Sequence, residues 1–290
     1  MEMQIVIGGM LVILGAVLGS FAGAQVWRLR ARQLEEDKNA GESYDKKEYA
    51  RLKILIGRKQ KDDRSLCLHC KHTLAWYDLI PIVSWLATKG KCRYCKRSIG
   101  YFEPTMEIVM ALFSIVSYIL WPWDISGTWP LFIVWMVAGV TLLIMAAYDA
   151  KWQLLPDIAN YAFIGLSVAF ILLRVYFVGD VSTLSLVGSL AMLAGLYLAL
   201  FMISRGAWIG FGDVKLCIGL ALFLADWKLA FLALFLANLL GCFMVIPGLL
   251  SKKLTASSQV AFGPLLMAGM VISFLLGSYI LELLMGFSIV

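Results

Sequence analysis

The chain has 290 residues, 61% of them hydrophobic and only 15% charged, and a mean hydropathy of +0.83, far more apolar than a water-soluble domain. Soluble dehydrogenases, kinases and nucleic-acid-binding domains are excluded at once, because a compact soluble core of this length cannot hide so much apolar surface. The net charge of +6 is unevenly placed: residues 28–103 carry 18 of the 25 Lys and Arg and 10 of the 19 acids, so one polar segment is set into an otherwise apolar membrane protein.

A bilayer core takes about 20 apolar helical residues. Such runs lie near 5–26, 106–120, 131–147, 158–177, 184–203, 214–224, 230–249 and 262–285. They predict an all-α polytopic membrane protein of about eight transmembrane helices, with residues 1–27 as the first helix, 28–104 as a cytoplasmic domain and 105–290 as the transmembrane domain. The first run has no basic segment before it and is followed by Arg28, Arg30 and Arg32, the pattern of a retained helix rather than a cleaved signal peptide. Keeping that basic end in the cytoplasm puts Lys151, Arg205, Lys215, Lys252 and Lys253 on the same side and leaves only Arg174 and Lys228 opposite, as the positive-inside rule asks. Both termini are then expected outside the cytoplasm.

Residues 31–64 are rich in Lys, Glu, Asp and Arg around an apolar patch at 52–56, and read as a solvated or loosely helical arm, with an amphipathic membrane-surface helix as the alternative. Next come Cys67-x-x-Cys70 and Cys92-x-x-Cys95, 21 residues apart. Two such pairs offer four thiolates to one tetrahedral ion, and a soft sulfur set selects zinc. The region is therefore expected to be a small zinc-ribbon-like domain inserted after the first helix, with Gly90 allowing a tight turn before the second pair. Two disulfides are the alternative, disfavoured by a reducing cytoplasm. His69 and His72, the only histidines, are substitute ligands or bystanders. Cys217 and Cys242 lie in apolar segments and read as small core residues.

Charges in hydrocarbon are costly and point to function. Glu107, Asp149, Asp157, Asp213 and Glu282 are the candidates. Asp149 ends the third apolar segment and Asp213 begins the sixth within Gly210-x-Gly212-Asp213, so the topology brings both to the cytoplasmic face. Two adjacent carboxyls cannot both ionise easily, and the pair then holds a general base and a general acid together, which is what peptide hydrolysis by activated water needs. Gly210 and Gly212 would let an extended substrate strand lie against the loop. The competing reading is a flexible turn with an N-capping aspartate, and Asp157 after Pro156 reads as an ordinary first residue of a helix. A rival from another class is a proton-coupled transporter that uses the same two acids.

In combination these residues resemble the type IV prepilin peptidases, intramembrane aspartyl proteases of the Gly-x-Gly-Asp kind. Gly19-Ser20-Phe21 with Arg28, the cysteine block from Trp76 through Pro81, Trp85 and Gly90, then Pro104 and Glu107, Asp149 with Pro156-Asp157, Gly210-x-Gly212-Asp213 with Lys215, and Phe262-Gly263-Pro264 follow the family's order. The chain departs from the pattern at Ala22-Gly23, Lys151 and Ala261. The resemblance implies that Asp149 and Asp213 are the catalytic dyad, with Gly210, Gly212 and Lys215 in the active-site loop. It implies leader cleavage of prepilins or pseudopilins at the inner membrane's cytoplasmic face, and N-methylation of the new amino terminus from S-adenosylmethionine. It assigns no residues to the methyl donor and no role to nucleic acid.

Overall fold

The structure is a computed structural model that describes residues 2–56, 64–251 and 260–285. Lys252 and Lys253, and residues 57–63 of the expected arm, lie outside the described residues. By its contacts the chain divides into two compact units, Met1–Tyr118 and Ile119–Val290.

In the first unit, α1 (Glu2–Ala40) runs unbroken for 39 residues, well past the apolar stretch. Its polar end, residues 28–40, is rich in Arg, Leu, Ala, Gln and Glu, all strong helix formers, so the helix has no reason to stop where hydropathy falls. α2 (Lys46–Leu52), capped by the Asp45 carboxylate on the N–H groups of Lys47 and Glu48, folds back on it. Leu52 buries against Ala31 and Leu34, with Trp27, Leu55, Ile56 and Leu68 around them, and Arg30 pairs with Glu48 at 2.8 Å. The expected arm is thus a packed helical hairpin over its first part. The apolar patch at 52–56 supplies the residues that close it.

Past the cysteine region, which carries a 3-10 turn (Trp76–Leu79) and a short helix α3 (Val83–Ala87), α4 (Phe102–Ile119) lies against α1. A Cβ placed on Gly15 would come 2.7 Å from the Met110 carbonyl oxygen, and one on Gly19 would strike the backbone of Met106 and Glu107. Small residues let the two backbones touch, which is how helices gain packing energy where apolar burial alone gives none.

The second unit is helical throughout its described residues: α5 (Ile125–Trp152), α6 (Asp157–Phe177), α7 (Thr183–Leu190) continuing through a π turn (Ala191–Gly195) into α8 (Leu196–Ser204), α9 (Phe211–Leu224), α10 (Trp227–Leu250) and α11 (Gly263–Met285). Asp124 caps α5, and a kink at Thr128 precedes Pro130, which cannot donate to the helix ladder. α6 packs on both α5 and α9, and α10 on α11. Trp135 stacks on Phe274 with centroids 4.3 Å apart, and Phe170 on Phe223 at 4.0 Å, forming an aromatic core. Arg174 is 9% exposed. Its guanidinium is held by Asp180 at 2.8 Å and by the Leu224 carbonyl at 3.0 Å, which makes a buried cation tolerable.

Among the described residues seven helices are long and apolar enough to cross a membrane. The expected span that is missing from these seven, the sixth in chain order at 214–224, is α9. Its 14 residues reach about 21 Å at 1.5 Å per residue, short of a core about 30 Å thick. The helix can be this short because protein, not lipid, surrounds much of it: Leu216, Cys217, Ala221, Phe223 and Leu224 are all fully buried. Cys217 is therefore a core residue as expected, whereas Cys242 on α10 faces outward.

Candidate active site and thiol cluster

In the second unit, Asp149 stands one turn before the end of α5 and is 6% exposed. The helix stops because Gln153 adopts a left-handed conformation whose N–H returns to the Asp149 carbonyl at 2.8 Å. The Asp149 carboxylate accepts the backbone N–H of Gly263, the first residue of α11. A Cβ at position 263 would lie 2.6 Å from Asp149 Oδ2, so only glycine lets the backbone come this close.

Asp213 sits in the first turn of α9 and is held in the same manner. Its carboxylate accepts the Gly210 N–H, and its own N–H donates to the Gly210 carbonyl at 3.1 Å. The two aspartates are near enough to interact electrostatically. Leu155 is the wedge between their loops: its Cβ would be 3.1 Å from a Cβ on Gly212, and its Cδ1 3.7 Å from one on Gly263.

Of the residues expected from sequence, Asp149, Gly210, Gly212, Asp213 and Lys215 all come to this one cluster of helix ends. Lys215 points away from the carboxyl pair and bonds Asp157 at 2.7 Å, with its ammonium 5.1 Å from the ring centroids of both Tyr161 and Phe211. Glu282 is exposed on α11. Besides Leu155, two residues went unnoticed in the sequence. Asn160, fully buried on α6, donates to the Gly212 carbonyl at 3.4 Å, and its Oδ1 has no hydrogen-bond partner among the described residues. Tyr197 is 5% exposed, lies near Asp213, and stacks on Phe262 at 6.5 Å. An amide in an apolar helix was the available signal for Asn160. A tyrosine among leucines gives none. Chemically, two shielded carboxyls at loop ends can share a proton and activate one water between them.

In the first unit the four cysteine sulfurs lie within 4.8 Å of one another. Cys67 Sγ and Cys95 Sγ are 3.9 Å apart, close to the roughly 3.8 Å edge of a tetrahedron with 2.3 Å zinc–sulfur bonds. All four are free thiols, so the donor set and its spacing fit a bound ion. Each pair is the tip of the same small hairpin, repeated 25 positions on. Leu66 bridges Thr73 and Lys91 bridges Ser98. Cys67 N–H donates to the His72 carbonyl at 3.0 Å, and Cys92 N–H to the Arg97 carbonyl at 2.8 Å. Lys71 and Lys96 take the left-handed turn at φ 61 and 59, and Gly90 at φ 68 reverses the chain before the second hairpin.

The protons on this cluster are unevenly held. Burial pushes the Cys67 thiol up to about 12. At Cys92 burial works in the same direction, but N–H groups of Cys95 and Tyr94 point at the sulfur and bring it down to about 7. His72 lies against Tyr94, centroids 3.7 Å apart. Asp78 ties the hairpins to the preceding turn by accepting from Arg93 at 2.8 Å, Tyr94 at 3.0 Å and the Ala75 N–H at 3.2 Å. Although burial alone would raise the Asp78 carboxyl, these bonds hold it below the usual range.

Residues 13–121 match the bacterial peptidase A24 N-terminal domain, and residues 136–246 match the type IV leader peptidase family. The prepilin leader peptidase/N-methyltransferase of Aeromonas hydrophila is 32% identical over 206 residues, covering 70% of this chain and 68% of that protein. The type 4 prepilin-like proteins leader peptide-processing enzyme of Escherichia coli O78:H11 is 27% identical over 257 residues, 88% of either chain. The Pseudomonas aeruginosa prepilin leader peptidase/N-methyltransferase is 27% identical across 96% of this chain and 93% of its own. No solved structure matches. With both halves of the chain matched in order, and the glycine-clamped aspartates inside the second match, the chain belongs to the type IV leader peptidase family.

Proposed function

We propose that Asp149 and Asp213 are the dyad with which this chain cleaves the leader peptide of type IV prepilins. The chain is a multi-pass membrane protease of the prepilin peptidase kind and an N-methyltransferase. The observation that carries the residue assignment is the pair itself: two electrostatically coupled carboxyls, each fixed by a glycine N–H at a helix end. One carboxylate takes a proton from water as its oxygen attacks the scissile carbonyl carbon. The other carboxylic acid gives its proton to the departing amine as the C–N bond breaks. Leu155 and Gly263 hold Asp149 rigidly, and Gly210 holds Asp213, so little reorganisation is needed when substrate arrives.

Gly210, exposed just before α9, leaves one side of the Asp213 loop open to an extended peptide, which can add its backbone there. A hydrophobic pilin helix following the cut would pack among the transmembrane helices. The asymmetry of Lys and Arg supports a position for the active site and the thiol cluster on the cytoplasmic side of the inner membrane. The tetrathiolate would hold zinc as a structural cross-link with no open position for chemistry. S-adenosylmethionine supplies the methyl group. Nothing in the fold or the family supports the proton-coupled transporter.

Asp149→Asn and Asp213→Asn each replace a carboxyl by an isosteric amide. Either should lower leader cleavage by at least about a thousand-fold in an assay of purified enzyme with a prepilin in detergent, with the helical circular dichroism unchanged. Normal cleavage by either variant would refute the dyad.

A further inference from the structure

The first unit contains a cavity of about 280 Å³, near the lower end of the ~300–1,000 Å³ range of small-molecule sites. Trp27 and Arg28 on α1, Arg51 on α2, Lys91 beside the second hairpin, and Glu103 and Glu107 on α4 are among its walls. The acids are the informative pair. Glu107 is satisfied: it accepts the Ile82 N–H at 2.7 Å and bonds Ser20. Glu103 is not. Its Oε1 accepts the Trp27 indole N–H at 3.2 Å, while Oε2 is buried without a hydrogen-bond partner among the described residues.

A bare carboxylate oxygen in a shielded site is expensive and is ordinarily met by a cation or a strong donor. Around it stand an indole and, on the other walls, Arg28, Arg51 and Lys91. A ligand that suits this set carries a positive centre, an aromatic or apolar body and a carboxylate of its own. S-adenosylmethionine has all three: a sulfonium cation, an adenine and a methionine carboxylate. We infer that this cavity is the methyl-donor site, with Glu103 Oε2 facing the sulfonium and the basic wall receiving the carboxylate. The inference rests on the N-methyltransferase reading above and supplies the residues that reading lacks. The peptidase residues lie in the other unit and take no part in it.

The test is equilibrium binding to the purified full chain in detergent, by calorimetry, of S-adenosylmethionine and of S-adenosylhomocysteine, which has a neutral thioether in place of the sulfonium. Glu103→Gln should weaken S-adenosylmethionine roughly tenfold or more, the loss expected when a charged partner is removed, and leave S-adenosylhomocysteine within about twofold. Ala24→Phe, which adds bulk to the cavity from α1 and leaves the Glu103 carboxylate in place, should weaken both. Thermal unfolding and metal content report the fold of each variant. As a check that needs no variant, ultraviolet crosslinking of radiolabelled S-adenosylmethionine to the unaltered chain should label residues 20–28, 51 or 102–107.

Donor binding that survives both substitutions, or a crosslink confined to residues 119–290, overturns the cavity assignment and leaves the methyltransferase reading standing. An unaltered enzyme that neither binds the donor nor transfers a methyl group overturns both together.

Discussion

In the first unit the four thiols sit in a loop of 36 described residues, 64–99, that has no strand, one 3-10 turn, a single five-residue α-helix and few buried side chains. In the second, two carboxyls are set into helices whose interior is an aromatic and aliphatic core. The loop is too small to hold itself together by apolar burial, so the side-chain cross-links available to order it are the ion proposed for the thiols and the Asp78, Arg93 and Tyr94 network. The helical unit has burial in excess and needs no cross-link. There the problem is to hold costly charges at a defined place, and the solution is close backbone approach at Gly263, against Asp149, and at Gly212, against Leu155. Folding and chemistry are thus secured by different residues in the two units, and each should be removable without the other.

Removing the thiol cluster should produce the largest structural effect. Cys92→Ser, or a strong chelator added to the unaltered protein, should take metal content from about one ion per chain to none and abolish amide protection across 64–99 in hydrogen exchange. A metal-held loop is unfolded without its ion. Protection in α5, α6 and α9 should persist. Loss of protection in both units together would show that the contrast drawn between them is false.

Gly263→Ala attacks the other unit at its close approach. The added methyl would meet Asp149 Oδ2 at 2.6 Å, so either the loop or the carboxylate must move. Overpacking of this kind costs about 1–3 kcal/mol, which a well-packed helical unit survives. A displacement near 1 Å lowers catalysis roughly a hundred-fold. Leader cleavage should therefore collapse while metal content and the fold remain. Unchanged cleavage would mean that the Gly263 N–H does not hold Asp149 in the working enzyme.

How much of this was legible in the sequence follows the same division. The cysteine spacing and the two misplaced aspartates could be read directly, because four thiols at that interval and a carboxyl at the end of an apolar run each admit few explanations. Helix ends were harder. Hydropathy measures lipid compatibility, not helicity, so α1 was expected to stop near residue 26 although its polar continuation is built of strong helix formers. The same measure took α9 for a span, since a helix buried in protein is as apolar as one buried in lipid. The supporting residues were invisible for a third reason. Leu155, Asn160 and Tyr197 matter through what they touch across helices, and Glu103 through what fails to touch it. No local pattern records either.

The smallest effect is the one that tests whether side-chain bonds, beside the thiols, order the loop. Asp78 joins the turn at 76–79 to the second hairpin, and its partner Tyr94 lies against His72 of the first. Its carboxyl titrates below the usual range in the fold, so the folded loop favours the ionised form. The stabilisation is fully present above the unfolded carboxyl value of about 4 and is lost as pH falls through the lower folded value. The Arg93 side chain is 44% exposed, which screens the ion pair and limits the whole contribution to about 1 kcal/mol. Asp78→Asn should therefore lower loop stability by about that amount near neutral pH, measured as local opening by hydrogen exchange with metal bound. The gap between the two proteins should begin to close as pH drops below about 4 and vanish below the lower folded value. Protonation of the thiolates also loosens the loop in acid, but it does so in both proteins and cancels in the difference. A gap that stays constant with pH would assign the loss to packing of the side chain, leaving the thiol cluster as the sole device that orders the loop.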